Sequence, residues 1–111
     1  MKKFLMAGLV SLALSAASFQ TYAQDAALQR GAEKAKAICA SCHEANGISK
    51  IPSFPKLAGQ HQDYLREALL SYQRGSRKNV IMKGQAAALS KQDIDDLAAY
   101  YSHQPNGLSH E

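Results

Sequence analysis

Residues 39–43 read Cys-Ala-Ser-Cys-His, and no other five positions constrain the folding of this chain as much. Two thiols at this spacing can add to the vinyl groups of one haem, and the imidazole that follows at once can reach its iron. A single turn of backbone then holds the porphyrin edge at Cys39 and Cys42 and supplies an axial nitrogen from His43. Other uses of Cys-x-x-Cys stand beside this one: a dithiol redox pair, half of a zinc site or a short-loop disulfide. A four-ligand zinc site wants a second clustered pair, whereas His61, His103 and His110 are scattered without ligand spacing. A thioredoxin-like dithiol belongs to alternating strands and helices, and the chain carries no such pattern. Haem attachment is the favoured reading.

The first residues bear on compartment. Lys2 and Lys3 precede an apolar stretch from Phe4 to Leu14, and a tract of small residues leads on to Thr21-Tyr22-Ala23. This is the layout of a secretory signal peptide, assigned to residues 1–23, with residues 24–111 as one domain. The apolar stretch is short for a membrane span, and no later segment approaches the ~20 apolar residues a transmembrane helix needs. An uncleaved anchor is the alternative, and the flanks fit a cleaved leader better.

Two of the basic residues leave with the leader, so the formal charge of +4 for the whole chain becomes +2 for the remainder. That is too mild to argue nucleic-acid binding, and no basic stripe with interleaved aromatics is present. A domain of this size has a thin core, which a large apolar prosthetic group would fill out, making haem structural as well as functional. With both cysteines committed to it, no thiol remains for a disulfide.

The remaining pattern is helical, which predicts an all-α fold. Leu28, Gly31, Ala32, Ala35 and Ile38 recur at helical spacing and lead directly into Cys39. Between Asp63 and Arg74, Leu65, Ala68, Leu69 and Tyr72 form a second stripe, with Gly75 placed to stop the helix. Ser90 and Asp93 form a capping-box signature ahead of a third stripe, Ile94, Leu97, Ala98 and Tyr101, which ends before Pro105. The stretches 52–59 and 76–89 are expected to be the two long connections.

Long connections in a small helical domain often carry function. Met1 and Met6 fall in the leader, so Met82 is the only other thioether, and it is expected in the second loop as the iron's sixth ligand. Its flanks, Lys78, Asn79, Lys83 and Gly84, with only Val80 and Ile81 apolar, do not make it a core gap-filler. His61 is the runner-up ligand, expected at the start of a helix and facing solvent. His103 and His110 are also expected to face solvent.

In these motifs the chain resembles the class I c-type cytochromes over residues 26–103. CxxCH after a helix, Pro55-Lys56-Leu57-Ala58-Gly59-Gln60, Tyr64-Leu65, Tyr72 with Gly75 and Arg77, Met82, Leu89-Ser90 and Leu97-Ala98-Ala99-Tyr100 occur in the family's order. It looks most like the small single-haem bacterial cytochromes of the c-553 type, or one half of the tandem dihaem periplasmic cytochromes. One CxxCH stands against the dihaem form.

The resemblance implies a small cytochrome c fold of three main helices around one covalent haem c, in a periplasmic protein. It implies His43 as proximal ligand, with the Pro55 carbonyl on its other ring nitrogen, fixing the ring and increasing its donation to iron. Gly31 would permit a close crossing of the first and last helices near Tyr100, and Arg77 would pair with a haem propionate. Ala35, Glu44 and Val80 depart from the family, which often has an aromatic, a glycine and a proline at these places. None removes a ligand, but without the proline the Met82 segment is expected to be less stiff.

Iron closed by His43 and Met82 has no open position, so the expected function is one-electron transfer at a clearly positive potential, with no enzymatic reaction. The expected form is a monomer meeting redox partners, with Lys50, Lys56, Lys78 and Lys83 bordering the exposed haem edge to steer an acidic docking face. Two alternatives stand beside this reading. One is a haem-bearing subunit of a larger dehydrogenase or oxidase; the other is an open-site haem protein that binds peroxide or a small gas.

Overall fold

The computed structural model describes residues 2–105, with side chains from residue 18 onward. Met1 and residues 106–111 lie outside the described residues, and so does the expectation for His110. Among the described residues every regular element is helical, as the periodicity predicts.

Helix α1 (Lys2–Lys34) runs without interruption across the expected leader boundary at residues 23 and 24. It passes directly into a π-helical turn, Ala35–Cys39, and then into a single α-turn, α2 (Ala40–His43). In the wide turn the Ala40 N–H reaches back five residues to the Ala35 carbonyl. Such a turn holds one residue more than an α-turn and re-aims whatever follows it, here the attachment cysteines. Ala35 is wholly buried within it.

The second expected stripe is α3 (Gln62–Arg74), and Gly75 ends it in the left-handed region at φ +79°, donating its N–H to the Tyr72 carbonyl. The third is α5 (Lys91–Ser102), and both halves of the expected capping box form. Ser90 Oγ accepts from the Asp93 N–H and the Asp93 carboxylate accepts from the Ser90 N–H, each at 3.0 Å. Ile94, Leu97, Ala98 and Tyr101 are all buried.

One expectation is corrected. Met82 lies not in a loop but on a short helix, α4 (Val80–Ala86), inside the second long connection. Asn79 starts it: the backbone there is extended and its Oδ1 accepts from the Met82 N–H at 2.9 Å. Val80 and Ile81 are exposed, so this helix has no apolar stripe for a periodicity argument to find.

Helix α1 crosses α5 where Gly31 meets Asp96 and Tyr100, the close approach expected of that glycine. Arg30 grips Asp96 with two nitrogens, at 2.8 and 3.1 Å, and Lys34 pairs with Asp93 at 3.3 Å. Helix α4 is tied to α3 by Gln73, whose amide donates to the carbonyls of Ala86 and Leu89 at 2.9 and 2.8 Å. The core is thin: among the described residues Ile94 and Leu97 are the largest side chains buried completely.

Candidate haem site

His43 closes α2 and is buried. Its Nδ1 lies 2.8 Å from the Pro55 carbonyl oxygen. A carbonyl only accepts, so Nδ1 carries the proton and Nε2 keeps the lone pair that a metal can use. Local folding brings Pro55 there. The N–H groups of Leu57 and Ala58 both donate to the Gly47 carbonyl, at 2.8 and 3.2 Å, and Ser49 Oγ donates to the Phe54 carbonyl. Gly47 sits at φ +75° with Ala58 N only 2.7 Å from where a Cβ would stand, so a side chain there would push the two segments apart.

A cleft opens beside this pair. Cys39, His43 and Pro55 line it, and so does the whole α3 stripe of Leu65, Ala68, Leu69 and Tyr72. The second stripe therefore lines a cleft, and Leu97, Ala98 and Tyr101 of the third stripe line it from the other side. Met82 of α4 reaches the same cleft and is half-buried, as are Cys39 and Cys42. Cys42 does not line the cleft. No disulfide joins the two cysteines.

Burial pushes the Cys39 thiol up to about 11, with the Tyr101 hydroxyl beside it working in the opposite direction. At neutral pH the sulfur is a thiol, and desolvation raises the Tyr101 phenol as well. Arg77 also lines the cleft. Its guanidinium donates to Tyr64 Oη at 3.2 Å and lies 5.0 Å from the centre of the Tyr72 ring, a cation held on an aromatic face. The Tyr64 hydroxyl is the main cause of its raised pKa.

The other sequence candidates separate from this group. His61 is exposed at the start of α3 and does not line the cleft. His103 is exposed, donates Nδ1–H to the Ala99 carbonyl and accepts from the Gln24 amide at 3.1 Å. Lys50, Lys56, Lys78 and Lys83 are all exposed, and Lys56 borders the cleft. Among the described residues no three His, Cys, Asp or Glu side chains gather as a metal cluster.

Sequence reasoning missed the Gln73 clamp, the Asn79 cap and the Tyr64 contact to Arg77. Only the cap had a readable signal, an asparagine three residues before Met82. The donor set fits a covalent haem. Two thiols stand at the attachment spacing, an imidazole has Nε2 free, and a thioether lies on the same apolar-lined cleft.

Comparison with known proteins agrees. Residues 28–104 match the model of the cytochrome c family. A cytochrome c4 of Pseudomonas aeruginosa is 41% identical over 104 residues, covering 94% of this chain and 49% of that protein. A protein of Stutzerimonas stutzeri named thiosulfate dehydrogenase electron acceptor is 37% identical over 101 residues, covering 90% and 47%. The crystal structure of reduced cytochrome c4 from Pseudomonas stutzeri superposes with a TM-score of 0.66 at 33% identity, over 72% of this chain and 49% of that one. The chain thus spans about half the length of these relatives.

Proposed function

The chain belongs to the cytochrome c family, and from that membership we propose that it is a one-electron carrier whose iron is held by His43 and Met82. Haem c, bound through Cys39 and Cys42, supplies an iron centre that gains and loses one electron. The observation that carries the reading is the His43 Nδ1–H bond to Pro55, which leaves Nε2 as a donor in a cleft that Met82 also lines. The Pro55 carbonyl fixes the imidazole and raises its basicity. Met82 brings a soft sulfur that favours the reduced metal, and the side chains of α3 exclude water and disfavour the extra charge of the oxidised one. Both effects push the potential upward. Arg77, held beside the cleft by Tyr64 and Tyr72, would pair with a haem propionate.

Residues 1–23 are read as a leader that exports a domain of residues 24–111 to the periplasm, where the partners are redox proteins. No described helix is long and apolar enough to cross a membrane. The exposed lysines suit an acidic docking face, and the name of the Stutzerimonas relative favours a dehydrogenase as electron donor.

The test is optical. Protein matured with haem is expected to keep its pigment through acid–acetone extraction and to show, when oxidised, the weak thioether charge-transfer band. Met82→Ala is expected to abolish that band and to let the reduced protein bind carbon monoxide without denaturant. An unchanged spectrum in Met82→Ala would remove the methionine from iron.

A further inference from the structure

Glu44, the residue after His43, has φ +65° and ψ 158°. That region is essentially reserved for glycine, and another residue stays there only where its surroundings hold it. Two phenols do so. Tyr101 Oη donates to the Glu44 carbonyl at 3.2 Å, and Tyr100 Oη donates to the Ala45 carbonyl at 2.6 Å. These neighbours lie on the last turn of α5 with ring centres 5.1 Å apart, edge to face, so each ring braces the other. Tyr101 is 3% exposed, so its hydroxyl has little water to turn to if Glu44 moves away.

Tyr101 also reaches the other side of the site. Its main-chain carbonyl accepts from the Gly59 N–H at 3.0 Å, just beyond the segment that carries Pro55. One residue of α5 thereby grips both segments whose meeting point is the His43–Pro55 bond. We infer that Tyr101, braced by Tyr100, is a positioning residue for His43: its hydroxyl holds Glu44 in a backbone geometry that glycine would adopt unaided, and so keeps the imidazole Nδ1–H on the Pro55 carbonyl. This rests on His43 being the iron's ligand, which the spectrum of the unaltered protein tests independently.

Tyr101→Phe keeps the ring and removes the hydroxyl. In the reduced, haem-loaded protein, NMR should find the His43 Nδ1 proton exchanging with solvent at least about tenfold faster, while amides in the middle of α3 change by less than about threefold. In a Glu44→Gly background the same substitution should change the Nδ1 proton by less than about threefold, because glycine needs no clamp. Equal acceleration at both sites, no acceleration, or the full effect in both backgrounds would overturn the inference. Should Tyr101→Phe fail to mature with haem, recovery in the double variant supports the clamp and failure there as well overturns it.

Discussion

Gly31 lies so close to Asp96 that a Cβ at this position would stand 2.2 Å from the Asp96 main-chain oxygen and 2.7 Å from the Tyr100 Cβ. Backbone cannot swing aside as a flexible side chain can, so any substitution forces α1 away from α5. The Arg30–Asp96 and Lys34–Asp93 pairs would be strained with it. Gly31→Ala gains about 1 kcal/mol of helix propensity. Overpacking usually costs ~1–3 kcal/mol and more where the clash is with backbone. A net loss of about 2 kcal/mol is expected, read as a lower urea midpoint in the haem-loaded protein. An unchanged or higher midpoint would contradict the close crossing.

The capping box of α5 makes a prediction with a pH signature. Ser90→Ala removes the acceptor for the Asp93 N–H and should cost about 1 kcal/mol at neutral pH. Asp93 is held below its ordinary value of 3.8, chiefly by the Ser90 N–H and then by the Ser90 hydroxyl and Lys34. A carboxyl depressed on folding stabilises the protein above its unfolded value and loses that contribution as pH falls through the folded one. Asp93→Asn should therefore be less stable than wild type at pH 7, and the two urea midpoints should converge as pH drops below 3.8.

Why α3 and α5 were readable and α4 was not follows from where their apolar side chains go. Leu65 and Leu69, or Ile94 and Leu97, leave a 3.6-residue stripe because one face of each helix is covered or lines the cleft. On α4, Val80 is 91% exposed and Ile81 59%, so the helix depends on its cap and on Gln73, neither of which has a period. The π-turn is equally silent, since one wide turn at Ala35–Cys39 leaves no period of its own in the sequence. In the site, CxxCH is contiguous and could be read directly, whereas the His43–Pro55 bond needed the resemblance. The tyrosine clamp joins residues more than fifty apart and exists only in the folded chain.

Glu44 offers a stabilising substitution. Its conformation costs on the order of 1–3 kcal/mol, which glycine avoids. Glycine in turn gives back roughly 0.5–1 kcal/mol through the freedom of the unfolded chain. Glu44→Gly should raise stability by about 1 kcal/mol, measured as a higher urea midpoint with the optical spectrum unchanged. A loss of stability would mean that the carboxylate, not the backbone, decides this position.

Met82 occupies the third position of α4, and its own N–H is the group that Asn79 Oδ1 captures at 2.9 Å. Seven residues are too few to sustain a helix alone, so this cap and the Gln73 clamp carry much of its stability. Asn79→Ala should cost about 1 kcal/mol. With Met82 on iron, as proposed, that cost weakens ligation, and the methionine-off state becomes about fivefold more populated. Added imidazole competes for the same position, so its apparent affinity for the oxidised protein should rise about fivefold. Val80→Pro should act in the other direction. Val80 is the first helical residue, where proline's fixed φ suits the helix and its missing N–H is not needed. Asn79 is already extended at φ −165° and ψ 118°, as a residue before proline must be. Imidazole affinity should fall about twofold, in line with the gain expected from a compatible proline. Equal imidazole affinity in wild type and both variants would mean that α4 does not bear on the iron at all.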